Sequence, residues 1–142
     1  MTNIRKIVKN LIKQYGTNDP FELADALGIW VYVINLGKIK GHYLHHENKK
    51  VFFINESLSK TEMLFCIAHE LGHAVLHTTN NIYFNSSNTF FNHSKHEIEA
   101  DRFAAELLIS DDLLNDYEGF CIETIADCED IDRKYINLKF NL

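Results

Sequence analysis

Residues 59–77 read SKTEMLFCIAHELGHAVLH, and the rest of the chain can be read outward from them. Ser59 followed three residues later by Glu62 is a capping box, the reciprocal pair of hydrogen bonds that opens a helix. Leu64, Phe65, Ile67, Ala68, Leu71 and Val75 then give that helix an apolar body. Inside it lies His69-Glu70-Leu71-Gly72-His73, an HExxH pattern. Residues four apart share a helix face, so both imidazoles can reach one ion. Neutral imidazole suits Zn²⁺, while Glu70, one position on, misses the ion and meets the attacking water as a general base. With 8 His and 11 Glu in 142 residues, chance would supply roughly 0.03 such matches.

A catalytic zinc has three protein ligands and one open position. Downstream, Glu97-Ile98-Glu99-Ala100-Asp101 opens another helix, predicted from about Ser94 to Ile109. Glu97 and Asp101 share a face, which lets Glu97 bind the ion while Asp101 holds the far nitrogen of a ligand histidine, expected to be His69. A plainer reading exists: Ser94-Lys95-His96-Glu97 also fits a capping box, in which Glu97 only closes the helix start. Glu99 is a lesser candidate ligand, two residues from Glu97 and off its face. His77 reads as a solvated histidine at the helix end, where the dipole favours it. His42, His45, His46, His93 and His96 read as surface residues. One of them, or Tyr83 in the long connection after the HExxH helix, could stabilise an oxyanion.

Before the HExxH helix, Ile4, Ile7, Val8, Leu11 and Ile12 recur at helical spacing among lysines, and the pattern stops near Gly16. Asp19-Pro20-Phe21-Glu22 starts a second helix, with Asp19 and Glu22 as a capping box and Gly28 as its end. Residues 29–35 (IWVYVIN), 41–44 and 51–55 (VFFIN) predict three strands, with a turn at His45-His46-Glu47-Asn48 and an antiparallel sheet as the economical arrangement. Thr78 to Lys95 shows no period and reads as an irregular connection. After it, Ser110-Asp111-Asp112 caps a short helix, and Ile122 to Leu138 reads as helix in two pieces. The expected fold is α+β: four or five helices, with the HExxH helix packed on a small three-stranded sheet. No linker divides residues 1–142, so one domain is expected.

Composition narrows the setting. A formal charge of −6 disfavours direct nucleic-acid binding. The basic face of helix 3–14 is four charges that a solvated face explains equally well. No apolar run reaches the roughly 18 residues of a membrane span, and residues 1–13 lack the apolar stretch of a signal peptide. Cys66, Cys121 and Cys128 form no CxxC pair, which reads as reduced thiols in a cytoplasmic protein.

Four segments, YGTNDPFELADALGI, VFFIN, AHELGHAVLH and EIEADRFAAELLIS, resemble the ImmA/IrrE family of zinc metallopeptidases across most of residues 10–115. The resemblance implies a small zincin-like fold and one Zn²⁺ per chain on His69, His73 and Glu97. It also implies Glu70 as catalytic acid/base and a supporting place for Asp101, where many members carry Asn. Ser110 departs from the Pro common there, which touches the helix end and not the chemistry. Members of this size are often encoded beside a helix-turn-helix repressor, so the resemblance implies an anti-repressor protease with a DNA-binding repressor as its protein partner.

Residues 97–132 carry 13 acidic side chains against Arg102 alone, a surface that would attract a basic protein or simply keep the chain in solution. The leading reading is a zinc endopeptidase of narrow specificity. The alternative is a zinc-containing module that sequesters a repressor without cutting it. Two histidines and a carboxylate would also accept Mn²⁺ or Fe²⁺.

Overall fold

The computed structural model describes residues 3–77 and 90–142, the side chains of 90–94 excepted. Among them are helices α1 (Ile4–Tyr15), α2 (Pro20–Ala26), α3 (Lys60–Leu76), α4 (Phe90–Leu108), α5 (Leu113–Asp116), α6 (Ile122–Glu129) and α7 (Arg133–Phe140). Strands β1 (Trp30–Ile34), β2 (Gly41–His46) and β3 (Lys49–Asn55) form one sheet in the order β1-β3-β2. This is the α+β, zincin-like arrangement expected. The helices number seven where four or five were expected. Both the short helix α5 and the break between α6 and α7, where Asp130 takes a left-handed φ of 56°, were foreseen element by element, and only the total fell short.

The sheet is mixed, which corrects the antiparallel expectation: β1 runs parallel to β3, and only β2 pairs antiparallel. After β1 the chain passes over the end of β3 and returns as β2, leaving β3 in the middle. Asn55, buried at the end of β3, holds that crossing. Its side-chain amide donates to the carbonyls of Gly37 and Ile39, both at 2.9 Å. The turn after β2 is tighter than predicted. His45 and His46 remain in the strand, and Glu47 and Asn48, both at positive φ, make the reversal.

Local caps follow the sequence in one place and depart from it in two. Ser59 and Glu62 form the complete capping box of α3. At α2, Asp19 caps Phe21, but Glu22 accepts from the Thr17 hydroxyl at 2.7 Å instead of closing a box. At α4 the helix already runs from Phe90, so Ser94 and Glu97 are interior residues. The capping-box reading of Glu97 therefore falls. The irregular connection expected over Thr78 to Lys95 gives way to helix from Phe90, and its earlier part lies outside the described residues.

The core gathers where α3 meets the sheet and α4. Phe52 and Ile54 of β3, Ile67 and Leu71 of α3, and Phe103 and Ala104 of α4 are fully buried. Helices α3 and α4 approach closely at Gly72. A Cβ there would stand 3.0 Å from the Phe103 Cβ and 3.1 Å from the Ala100 Cα. Alanine is the better helix former by about 1 kcal/mol, so a loose crossing would make Gly72→Ala stabilising. The contact makes the opposite sign the expected one: a loss of roughly 1–3 kcal/mol, read as a lower denaturant midpoint. No helix among the described residues is long and apolar enough to cross a membrane.

Candidate metal centre

His69 and His73 lie on consecutive turns of α3, and the Gly72 contact brings α4 near enough for Glu97 to reach both. Glu97 Oε2 stands 2.8 Å from His69 Nε2, and Glu97 Oε1 stands 3.0 Å from His73 Nε2. The two Nε2 atoms are 3.2 Å apart. Two imidazole nitrogens and a carboxylate thus converge on one point from two helices. Bonds of about 2.0–2.1 Å to a tetrahedral ion set its ligands about 3.3 Å apart, so this donor triangle fits a divalent cation after a small expansion. The donor types suit zinc and other divalent transition metals alike.

Asp101, one turn beyond Glu97, accepts from His69 Nδ1 at 2.7 Å, which fixes Nε2 as the lone-pair nitrogen facing the site. In the metal-free protein, burial opposes a charge on His69. Hydrogen bonds to Asp101 and Glu97 outweigh it and lift the ring to about 10. Burial likewise opposes the charge on Glu97, yet His69 and His73 hold its carboxyl well below the usual range. His69 would give up a proton on holding a cation there. Asp101→Ala removes the group that orients the ring, and is expected to weaken Zn²⁺ affinity about 10- to 100-fold in a chelator competition.

Glu70 is buried, 8% exposed, and faces the same cleft. Burial pushes its carboxyl up, against the pull of His69 and His73. A carboxyl so placed takes a proton readily, as a general base requires. The cleft has a volume of about 840 Å³ and runs between β2 and the corner joining α6 to α7. His42 and Tyr43 border it on the β2 side, and Asp130, Asp132 and Tyr135 on the other. Seven carboxylates line it, against Lys40 and Lys134. Part of the acid-rich stretch 97–132 is thus turned into the cleft.

Two sequence readings change here. His77 is buried, not solvated: its Nδ1 lies 3.1 Å from His73 Nδ1 and its Nε2 lies 3.2 Å from Glu99 Oε1. Burial, partly offset by the bond to Glu99, holds its ring down at about 4, neutral at ordinary pH. His96 is no isolated surface residue either, for its ring centroid is 4.0 Å from that of His77. Spacing could have found His77, which continues the i, i+4 stripe of His69 and His73; His96 gave no such signal. Glu99 stands apart from the first site, on His77. Tyr83 lies outside the described residues, and so does the side chain of His93. His42 lines the cleft, while His45 and His46 do not.

Residues 24–126 match the model of peptidase family M78, described as the IrrE N-terminal-like domain. The chain is 38% identical over 141 residues to uncharacterized immunity region protein 2 of Bacillus phage phi105, covering 97% of this chain and 89% of the relative. It is also 34% identical over 129 residues to metallopeptidase ImmA of Bacillus subtilis strain 168, covering 87% of this chain and 75% of that protein.

Proposed function

Since the chain belongs to the M78 peptidase family of IrrE N-terminal-like domains, we propose that it is a zinc-dependent endopeptidase of narrow specificity that cleaves a helix-turn-helix repressor and so relieves repression. One observation carries this reading: His69, His73 and Glu97 converge within 3.2 Å at the floor of an acidic cleft that also holds the buried Glu70. In it His69, His73 and Glu97 hold the zinc and Asp101 fixes His69. Zinc bound there would supply Lewis acidity, making water a stronger acid and polarising the scissile carbonyl. Glu70 takes the proton of the attacking water and returns it to the leaving amine, both through one carboxylate. His42 and Tyr135, which line the cleft, are donors available to the developing oxyanion.

The substrate class follows from charge and from a strand edge. Seven carboxylates against two lysines favour a basic protein, and DNA-binding repressors are basic. Among the described residues strand β2 pairs with β3 alone, and its residues 41–43 border the cleft. An extended substrate segment can pair with such an edge through its backbone. The names of the two relatives, an immunity region protein and the metallopeptidase ImmA, support a regulatory target.

The test is incubation of the purified protein with purified helix-turn-helix repressors. Mass spectrometry should find two new fragments, absent after chelation and restored by added zinc. A repressor that stays whole while losing its operator in the presence of the protein would replace proteolysis with sequestration.

A further inference from the structure

His73 presents Nε2 to Glu97 and, on the opposite side of its ring, Nδ1 to His77. Beyond it stands a second group of donors that the peptidase site does not use. His77 Nε2 lies 3.2 Å from Glu99 Oε1, and the rings of His77 and His96 have centroids 4.0 Å apart. One donor atom from each of His77, His96 and Glu99 lies within 4.8 Å of the others. Two imidazoles and a carboxylate, again shared between α3 and α4, repeat the donor set of the first site one helical turn away.

We propose that His77, His96 and Glu99 form a second divalent-cation site, and that the two sites oppose each other through the contact between His73 and His77. The reason is a proton. An ion on His73 Nε2 leaves the His73 proton on Nδ1, which donates to His77 Nδ1 at 3.1 Å. The proton of His77 is then on Nε2, where it meets Glu99. An ion in the second cluster takes His77 through that same Nε2 and moves the proton to Nδ1. Two N–H groups now face each other, and a buried hydrogen bond becomes a repulsive contact. By linkage, each ion weakens the other's binding equally, by roughly ten- to a hundredfold.

The first site has the closer donors and the support of Asp101, so it fills first. The second fills only at higher metal, and its filling loosens the peptidase metal. This coupling rests on the reading of His69, His73 and Glu97 as the peptidase metal site; the second cluster stands without it.

The experiment is calorimetric titration of Zn²⁺ into the metal-free full chain, with a competing chelator to reach the tight range. The parent should show two events, and His96→Ala should keep the tight one and lose the weak one. Glu99→Gln provides the same comparison without removing a ring from the packing. One event in the parent, or two that survive both substitutions, would overturn the second site. Glu97→Ala should abolish the tight event and strengthen the weak one roughly ten- to a hundredfold; a weak event of unchanged affinity would overturn the opposition. A tight event that persists in Glu97→Ala would instead refute the peptidase metal assignment, leaving the second cluster to be judged by His96→Ala.

Discussion

Glu70→Gln is expected to lower the cleavage rate by about 10²- to 10⁴-fold, the range for removing a general acid–base group, while Zn²⁺ affinity and repressor binding stay near those of the parent. The substitution keeps the shape of the side chain and removes only the basic oxygen. It also removes a carboxylate whose burial is unfavourable to its charge, so the variant should be no less stable than the parent. A single-turnover cleavage assay beside a zinc titration reads both quantities. The same variant separates cutting from sequestration. If Glu70→Gln relieves repression as well as the parent does, the peptidase account fails and the binding-module account takes its place.

Glu97→Ala is expected to release the metal of the purified protein and cleavage with it. Glu97 bridges the two histidine nitrogens at 2.8 and 3.0 Å, so its loss removes a ligand and leaves the His69–His73 pair without its counter-charge. The drop in affinity should exceed the roughly 10- to 100-fold that a supporting residue such as Asp101 costs. Glu99→Ala is the contrasting variant. Glu99 is hydrogen-bonded to His77 and lies outside the first donor triangle, so the tight metal should remain. Metal analysis after gel filtration decides between the two carboxylates. Tight zinc lost with Glu99→Ala and kept with Glu97→Ala would reverse the assignment.

The helix that carries the histidines was legible in the sequence because its signals are local. A capping box at Ser59 and Glu62 depends on residues three apart, and the shared face of His69 and His73 on residues four apart. The direction of β1 was not legible. Strand propensity marks extended backbone but not which neighbour it joins. The crossing that sets β1 beside β3 is held by Asn55, 16 and 18 residues from the carbonyls it binds. Nor could the sequence tell a helix start from a helix interior at Ser94. The Ser-x-x-Glu pattern is the same in both places, and only the helical turn before it distinguishes them.

The case of His77 is similar. Its position at the end of α3 suggested solvent, yet α4 lays Glu99 and His96 against it, a juxtaposition created by the close contact at Gly72 and Ala100. The residues proposed for chemistry were therefore readable as a pattern, while the environment of each depended on how the two helices cross.

The most direct measurement of the central claim is anomalous X-ray scattering from crystals grown with one equivalent of zinc, recorded on both sides of the zinc edge. The account predicts one strong peak bounded by His69 Nε2, His73 Nε2 and the Glu97 carboxylate, with Glu70 beside its open side. A strong peak at any other group of residues, or none between these three, would contradict it.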